Sequence, residues 1–404
     1  MPDEVSPSQA AWNRFTDELR ALGDKIVGPT GAKGPRERAE GFRYLLGLLA
    51  AAQELEAEVD RAHPRLTRMF MPMRRSFVAD GVDTIYHEAK LDVDRSYEVT
   101  LRRADDIFFS IVVYGSDDEG MRDMVSFLID QDIQFEDGVA TIQLSTKRPD
   151  GAKNWLKLGG HQPFLLTRQY FPESVLEVDA GRYRQATMTI RCTDDVHVPR
   201  TYRPKDLSAS LQRALGFLND TVDSALGISA FIALNMIEYE GDGSGTPTRI
   251  GPNGQMIIDE ERYDEYTADE IAEMVDPRVV ANNLPGPGIG YTGASFKLAD
   301  DEAILVEGKK VPCRYWSCQL LNHFLQTGDY RYHRVSLNNR QVHYEDDGSF
   351  RIYASCENPG VRNWLDTEGR RRGQVVLRTL LAETDMDAQM SVIKIADIPK
   401  SDLV

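Results

Sequence analysis

Apolar residues recur every three or four positions at the start of this chain and every second position through most of the rest. In SQAAWNRFTDELRALGDKI, Ala11, Trp12, Phe15, Leu19, Leu22 and Ile26 fall on one side of a 3.6-residue repeat, which predicts an amphipathic helix. PRERAEGFRYLLGLLAAAQELEAEVDRAHP predicts a second, longer helix, with Pro35 suited to its first turn and Pro64 beyond its end. Its stripe reads Phe42, Leu45, Leu46, Leu49, Ala52 and Leu55. From about Tyr86 the period is two. YEVTLRR, IFFSIVVYG, GVATIQLS and PFLLTRQYF are rich in β-branched and aromatic residues and broken by Asp-Gly pairs, so they predict antiparallel strands. GRYRQATMTIRCTDDVHV adds one or two more.

Helical spacing returns from Asp206 to about Glu238, with Leu211, Leu215, Leu218, Val222 and Leu226 on its face and Asp206 or Ser208 as the cap. EGDGSGTPTRIGPNG reads as an acidic, Gly-rich loop. TADEIAEMV reads as a short helix with Thr267 and Glu270 at capping-box spacing, and LPGPGIGYTGAS as a further loop. Strands then resume in AILVEG, CRYWSCQLL, HRVSLN, QVHYE, SFRIYAS, QVVLRTLL and SVIKIADI.

The two strand-rich stretches are related. Asn-Trp-Leu is written twice, and one spacing carries Asn154 to Asn363, Trp155 to Trp364, Leu156 to Leu365 and Gly160 to Gly369. Each copy follows an Asp-Gly turn and a strand beginning at Asp137 or Asp347, and precedes an apolar strand holding Arg168 or Arg378. That agreement predicts a duplicated β-domain. The Trp reads as a plug burying apolar area and the Asn as a loop fastener. An Arg inside an apolar strand needs a partner, for which Glu173 and Asp366 are candidates.

Composition narrows the class. At 404 residues the chain suits several domains, and 41% hydrophobic with 27% charged residues is ordinary for a folded globular protein. No apolar run approaches the roughly 20 residues of a membrane span, and no secretory leader pattern opens the sequence. Four cysteines without metal-ligand spacing agree with the expectation of a cytoplasmic, membrane-free protein. A net charge of −17 argues against nucleic-acid binding, since phosphates are held by surplus Lys and Arg. The fold class expected is mainly β with helical additions. It comprises a helical region over 1–78, a first antiparallel β-sandwich over 79–204, a helical and loop insertion over 205–290, and a second sandwich over 291–404.

The segments RAEGFRYLLGLL, Tyr97-Glu98-Val99 followed by FFSIVVYG, and DDGSFRIYASCENPGVRNWLDTEGRRRGQVVLR resemble the bacterial family called domain of unknown function number 1214. The resemblance spans roughly residues 38–115 and 310–395. It implies tandem jelly-roll-like domains with added helices, and no defined activity. Two positions depart from the family pattern. ADGVDTIYHEA stands where an Asn-Pro-Asp segment is usual, and Gly369-Arg370 where Gly-His often follows Asn-Trp-Leu-Asp-Thr.

No standard catalytic motif is present: HExxH, GxSxG and the P-loop are all missing, and Gly286, Gly288 and Gly290 read as a turn. No metal or cofactor is expected. The chemistry-bearing stretch is NHFLQTGDYRYHR. His323 and His333 are candidate proton-transfer groups. Asn322, Tyr330, Arg331, Arg334 and nearby Trp316 are candidate ligand contacts, the arginines as anion clamps. His161 and Arg370 join them because the two copies differ there. The expected function is binding of, or enzymatic action on, a partly apolar and anionic small molecule in a pocket between sheet and helices. The alternative is a non-catalytic assembly protein. Homo-oligomerisation is expected in either case, with LGISAFIALNMI as exposed apolar surface.

Overall fold

The computed structural model describes residues 6–29, 31–118, 122–196, 198, 202–233, 236–237, 239, 246–250, 256–257, 286–384 and 386–403. The helix expected around Thr267 and Glu270 lies outside them. The chain divides into two compact units. The first comprises residues up to Phe77, Asp83–Ser224 and Ala281–Leu284; the second takes Val78–Val82, Ala225–Val280 and Pro285–Val404.

In the first unit, α1 (Pro7–Ile26) starts where the Ser6 hydroxyl accepts the Gln9 amide, with Pro7 in the opening turn. Helix α2 (Pro35–Ala52) runs into a π-helical turn, Gln53–Ala57. The α1 stripe holds at Ala11, Phe15, Leu22 and Ile26, but that of α2 is rotated from the one expected. Tyr44, Leu45, Leu48, Ala51, Ala52 and Leu55 are buried, whereas Trp12, Phe42 and Leu46 are exposed. The cause lies at Gly47, where a β-carbon would sit 2.8 Å from the Arg74 carbonyl, so the chain packs against that side of α2. Helix α4 (Pro204–Ala233) is entered differently from the expected cap: Asp206 reaches back from inside the first turn to the Arg203 amide at 2.9 Å. Within LGISAFIALNMI, expected to be exposed, Leu226, Ile228, Ile232 and Ile237 are buried.

The first unit's strands are β1 (Thr67–Arg68), β2 (Thr84–Lys90), β3 (Tyr97–Arg102), β4 (Phe108–Ser116), β5 (Arg122–Ile129), β6 (Ala140–Ser145), β7 (Asn154–Lys157), β8 (His161–Tyr170) and β9 (Thr187–Cys192), with a short helix α3 (Val175–Asp179). They form two sheets, β1-β2-β8-β4-β5 and β7-β6-β3-β9, enclosing Val99, Phe109, Ile111, Ile142, Leu144, Leu156 and Leu165. The second unit has β10 (Met236–Ile237), β11 (Thr246–Ile250), β12 (Met256–Ile257), β13 (Ile289–Lys297), β14 (Glu302–Lys309), β15 (Tyr315–Leu321), β16 (Ser336–Asn338), β17 (Ser349–Ser355), β18 (Trp364–Asp366), β19 (Arg372–Leu380) and β20 (Met386–Lys394). Its sheets are β10-β13-β19-β15-β16 and β12-β11-β20-β14-β17-β18. The order β2-β8-β4 of one unit matches β13-β19-β15 of the other, and β7-β6-β3-β9 matches β18-β17-β14-β20. Both units are β-sandwiches, and the duplication extends to strand order. Two expected loops contain strands: β11 pairs with β20, and β13 starts inside LPGPGIGYTGAS.

The repeated Asn-Trp-Leu fastens the same joint twice. Asn154 accepts the Gln134 amide at 2.7 Å and donates to the Gln134 and Thr141 carbonyls. Asn363 accepts the His343 amide at 2.8 Å and donates to the His343 and Arg351 carbonyls. Each indole then donates at 3.1 Å to a serine hydroxyl, Trp155 to Ser145 and Trp364 to Ser355. Both tryptophans are only half-buried. The expected plug is instead the following leucine, Leu156 or Leu365, which is fully enclosed.

Candidate functional site

The described residues of NHFLQTGDYRYHR do not converge. Trp316 alternates inward along β15 into the core, stacked on Phe350 at 4.7 Å with its indole N–H on the Tyr344 hydroxyl, so it cannot contact a ligand. Asn322 is buried in its own turn, accepting the Phe324 and Gln326 amides. His323 faces Ser229 of α4 at 3.3 Å, and that serine accepts the Gln374 side-chain amide at 2.6 Å. His161 belongs to the first unit, where its exposed imidazole lies 2.8 Å from Asp118. Tyr330 sits half-buried in a tight turn, its amide donating to the Gly328 carbonyl.

What does assemble is a pair of charged loops in the second unit, 329–334 and 366–370. His333 Nδ1 contacts the Asp366 carboxylate at 2.6 Å. Arg331 forks onto Asp329 at 2.8 and 2.7 Å, a pairing that raises the arginine's pKa further. Arg370 pairs with Glu368 at 2.7 Å. Backbone bonds tie the loops: the Asp366 amide to the Arg334 carbonyl at 2.8 Å, the Asp329 amide to the Glu368 carboxylate, and the Glu368 amide to Asp366 Oδ1 at 2.7 Å. Glu368 holds a left-handed φ of 55° within this network. Arg334 is exposed, with one guanidinium nitrogen on the Arg362 carbonyl at 3.3 Å.

A second constellation was flagged in sequence only by its arginines. Arg168 is 3% exposed and Arg378 4%. In register across three adjacent strands, Arg168 lies between Tyr86 and Ser110, and Arg378 between Tyr291 and Ser317. This Tyr-Arg-Ser row points away from each sandwich core. Neither suggested carboxylate meets Arg168 or Arg378: Glu173 pairs with Arg182, and Asp366 with His333. Arg168 instead donates to the Tyr114 hydroxyl at 3.1 Å and lies over the Tyr86 and Tyr114 rings. Arg378 donates to the Ala79 carbonyl at 2.5 Å and lies over the Tyr291 ring. Beside it, Gln319 and Thr327 bond the Asp80 carbonyl at 2.8 and 2.7 Å, so Val78–Val82 is held by side chains of β15, β19 and the Thr327 loop. Val78 and Ala79 have left-handed φ values of 45° and 56° in that segment.

The first unit adds a buried ionic group that sequence spacing does not reveal, because it joins residues from a helix end and a strand. The π-helical turn directs Glu56 to Lys90 at 2.5 Å, while Glu88 meets the same ammonium at 3.2 Å. Burial drives the Glu88 carboxyl above its usual range. Burial opposes the Lys90 charge too, but the Glu88 and Glu56 carboxylates outweigh it and raise the ammonium's pKa. Lys90 and Arg122 both lie over the Phe164 ring, which stacks on Tyr114. One residue after Tyr86 on β2, opposite Thr167, His87 is pushed down to about 4 by burial and by Arg68. Among the described residues no cluster has the composition of a metal site.

The family DUF1214, described as a protein of unknown function, matches residues 83–174 and 293–384. The family thus matches the chain twice, once in each unit. Each match ends just past the arginine-bearing strand, so both contain the Asn-Trp fastener and the row's arginine and serine; Tyr86 lies inside the first match and Tyr291 two residues before the second. A crystal structure of an uncharacterized protein from Burkholderia cenocepacia is similar over 96% of this chain and 98% of its own, at 25% identity and a TM-score of 0.77. A protein from Vibrio parahaemolyticus aligns over 93% of this chain and 100% of its own at 12% identity, with a TM-score of 0.49. No curated protein matches the chain.

Proposed function

We propose that this protein binds a small, partly apolar, anionic molecule at the charged loops of the second unit, with His333 as a proton-transfer group. The 2.6 Å contact between His333 Nδ1 and Asp366 carries this reading. A carboxylate at Nδ1 fixes the tautomer and leaves Nε2, which has no partner among the described residues, as a proton acceptor. Arg334 supplies positive charge on the same loop, and the exposed ring of Tyr332 offers apolar contact. The test is a titration of the 15N-labelled protein with a panel of aromatic and aliphatic carboxylates and phosphates, read at the imidazole nitrogens. Saturable shifts at His333 Nε2 that vanish in His333→Asn support the site. Absence of saturable binding, or binding that His333→Asn leaves intact, sinks it.

A second reading, a non-catalytic assembly protein, is favoured by how much of the expected site is spent on internal contacts. Trp316, Asn322, Arg331 and Arg370 all serve the fold or neutralise a neighbouring carboxylate. Sedimentation of the full chain across a hundredfold concentration range separates this reading from the first.

A further inference from the structure

We infer that a cleft between α1 and α4 in the first unit binds a small zwitterion with an apolar midsection, a site separate from the His333 loops. The cleft encloses about 330 Å³, at the small end of ligand pockets. Its sides are two helical rows. Ala11, Arg14 and Glu18 follow i, i+3, i+7 spacing on α1, and Ser208, Leu211, Gln212 and Leu215 follow the matching spacing on α4. The small Ala11 side chain and the flanks of Leu211 and Leu215 give an apolar floor.

These polar groups are uncommitted among the described residues. Near the other end of α1, Lys25 pairs with Asp223 of α4. Arg14 and Glu18 make no ion pair among the described residues. Their order, cation before anion at i, i+4, is the weaker orientation for pairing along a helix. Ser208 and Gln212 have no hydrogen-bond partner there either. The side chains therefore offer a guanidinium for a carboxylate at one end and a carboxylate for an ammonium at the other. One helical turn separates the two, about 6 Å along the axis. The hydroxyl and amide of α4 can read polar atoms between. An ω-amino acid with about five methylenes matches that span and the apolar floor.

The probe is 6-aminohexanoate, compared with hexanoate and hexylamine, titrated into the full-length protein and read by isothermal calorimetry and by the Gln212 side-chain amide in NMR spectra. The expected result is saturable binding of the zwitterion about tenfold or more tighter than either single-charge analogue, as for loss of a charged hydrogen bond. Arg14→Gln should erase its preference over hexylamine, and Glu18→Gln its preference over hexanoate. Both positions are exposed, so folding is retained, and His333→Asn should leave all three affinities unchanged. Equal affinity for the three compounds, no saturation by 6-aminohexanoate, or indifference to both variants overturns the inference.

Discussion

The two regions that match DUF1214 keep one joint and part company on one face. The Asn-Trp fastener is the same in both, bond for bond, and the Tyr-Arg-Ser row occupies the same register. Around the row the surroundings diverge. Where the first domain places Glu88, Lys90 and Phe164, register assigns the second Gly293, Ser295 and Gln374. The first covers this face with an ionic group under a π-helical turn. The second covers it with neutral amide and hydroxyl bonds to the strained segment Val78–Val82. The sandwich interior tolerates little change because its residues touch one another. The outer face meets whatever element lies above it, and there each copy acquired its own chemistry.

The sharpest test of that equivalence is the fastener itself. Asn154→Ala and Asn363→Ala each strand buried backbone donors and acceptors and should each cost about 3 kcal/mol in urea unfolding. A near-silent variant in one domain alone would break the symmetry. Next, Arg378→Met removes the bond to Ala79 and should cost about 2 kcal/mol, with faster hydrogen exchange confined to Val78–Val82. Arg168→Met leaves a tyrosine-lined slot and should cost under about 1 kcal/mol, since a methionine of similar length fills it. Equal costs for the two arginines would mean the outer faces are not distinct.

A smaller effect separates the domains by pH. Glu88 has a folded-state pKa above its unfolded value, so the folded first unit takes up this proton more readily. Stability is therefore gained as pH falls through the raised value toward the unfolded one and lost as pH rises through it. Glu88→Gln should flatten that dependence and move the alkaline melting temperature up by roughly 2–4 °C. An unchanged slope would remove Glu88 as its source. Smallest of all, Trp155→Phe and Trp364→Phe each lose one hydrogen bond from a half-buried ring and should each cost about 1 kcal/mol, equally in both domains.

Much of the architecture was legible because period and repetition are local properties. Alternation in YEVTLR marks a strand with one buried face, the continuous apolar run of IFFSIVVYG one buried on both, and the doubled Asn-Trp-Leu announces the duplication. RDMVSFLI was passed over: as the edge strand β5 it is only half-buried, so its alternation is blurred. Strand β13 hid among glycines because Gly293 lies 2.8 Å (as a virtual β-carbon) from the Val375 carbonyl and has no room for the side chain that would have signalled a strand. The α2 stripe lies out of phase with its apolar residues because Tyr44 and Gly47, not the larger Phe42 and Leu46, face the packed side. The site was least legible. Parity along CRYWSCQLL already sends Trp316 to the core with Cys318 and Leu320, whereas the pairings of His333 with Asp366 and of Lys90 with Glu56 join distant segments that no spacing connects.

The fastener carries one more implication. Every bond made by Asn154 and Asn363 ends on a main-chain atom, so the amide recognises a backbone path and is indifferent to the side chains strung along it. Gln134 and Thr141 in one copy are His343 and Arg351 in the other, with no change in the joint. Such a residue works as a grammar mark in place of a word: it holds the clause together while the vocabulary around it is rewritten. Two copies fixed this way can drift in charge, partners and chemistry without losing the sandwich that makes them recognisable as copies.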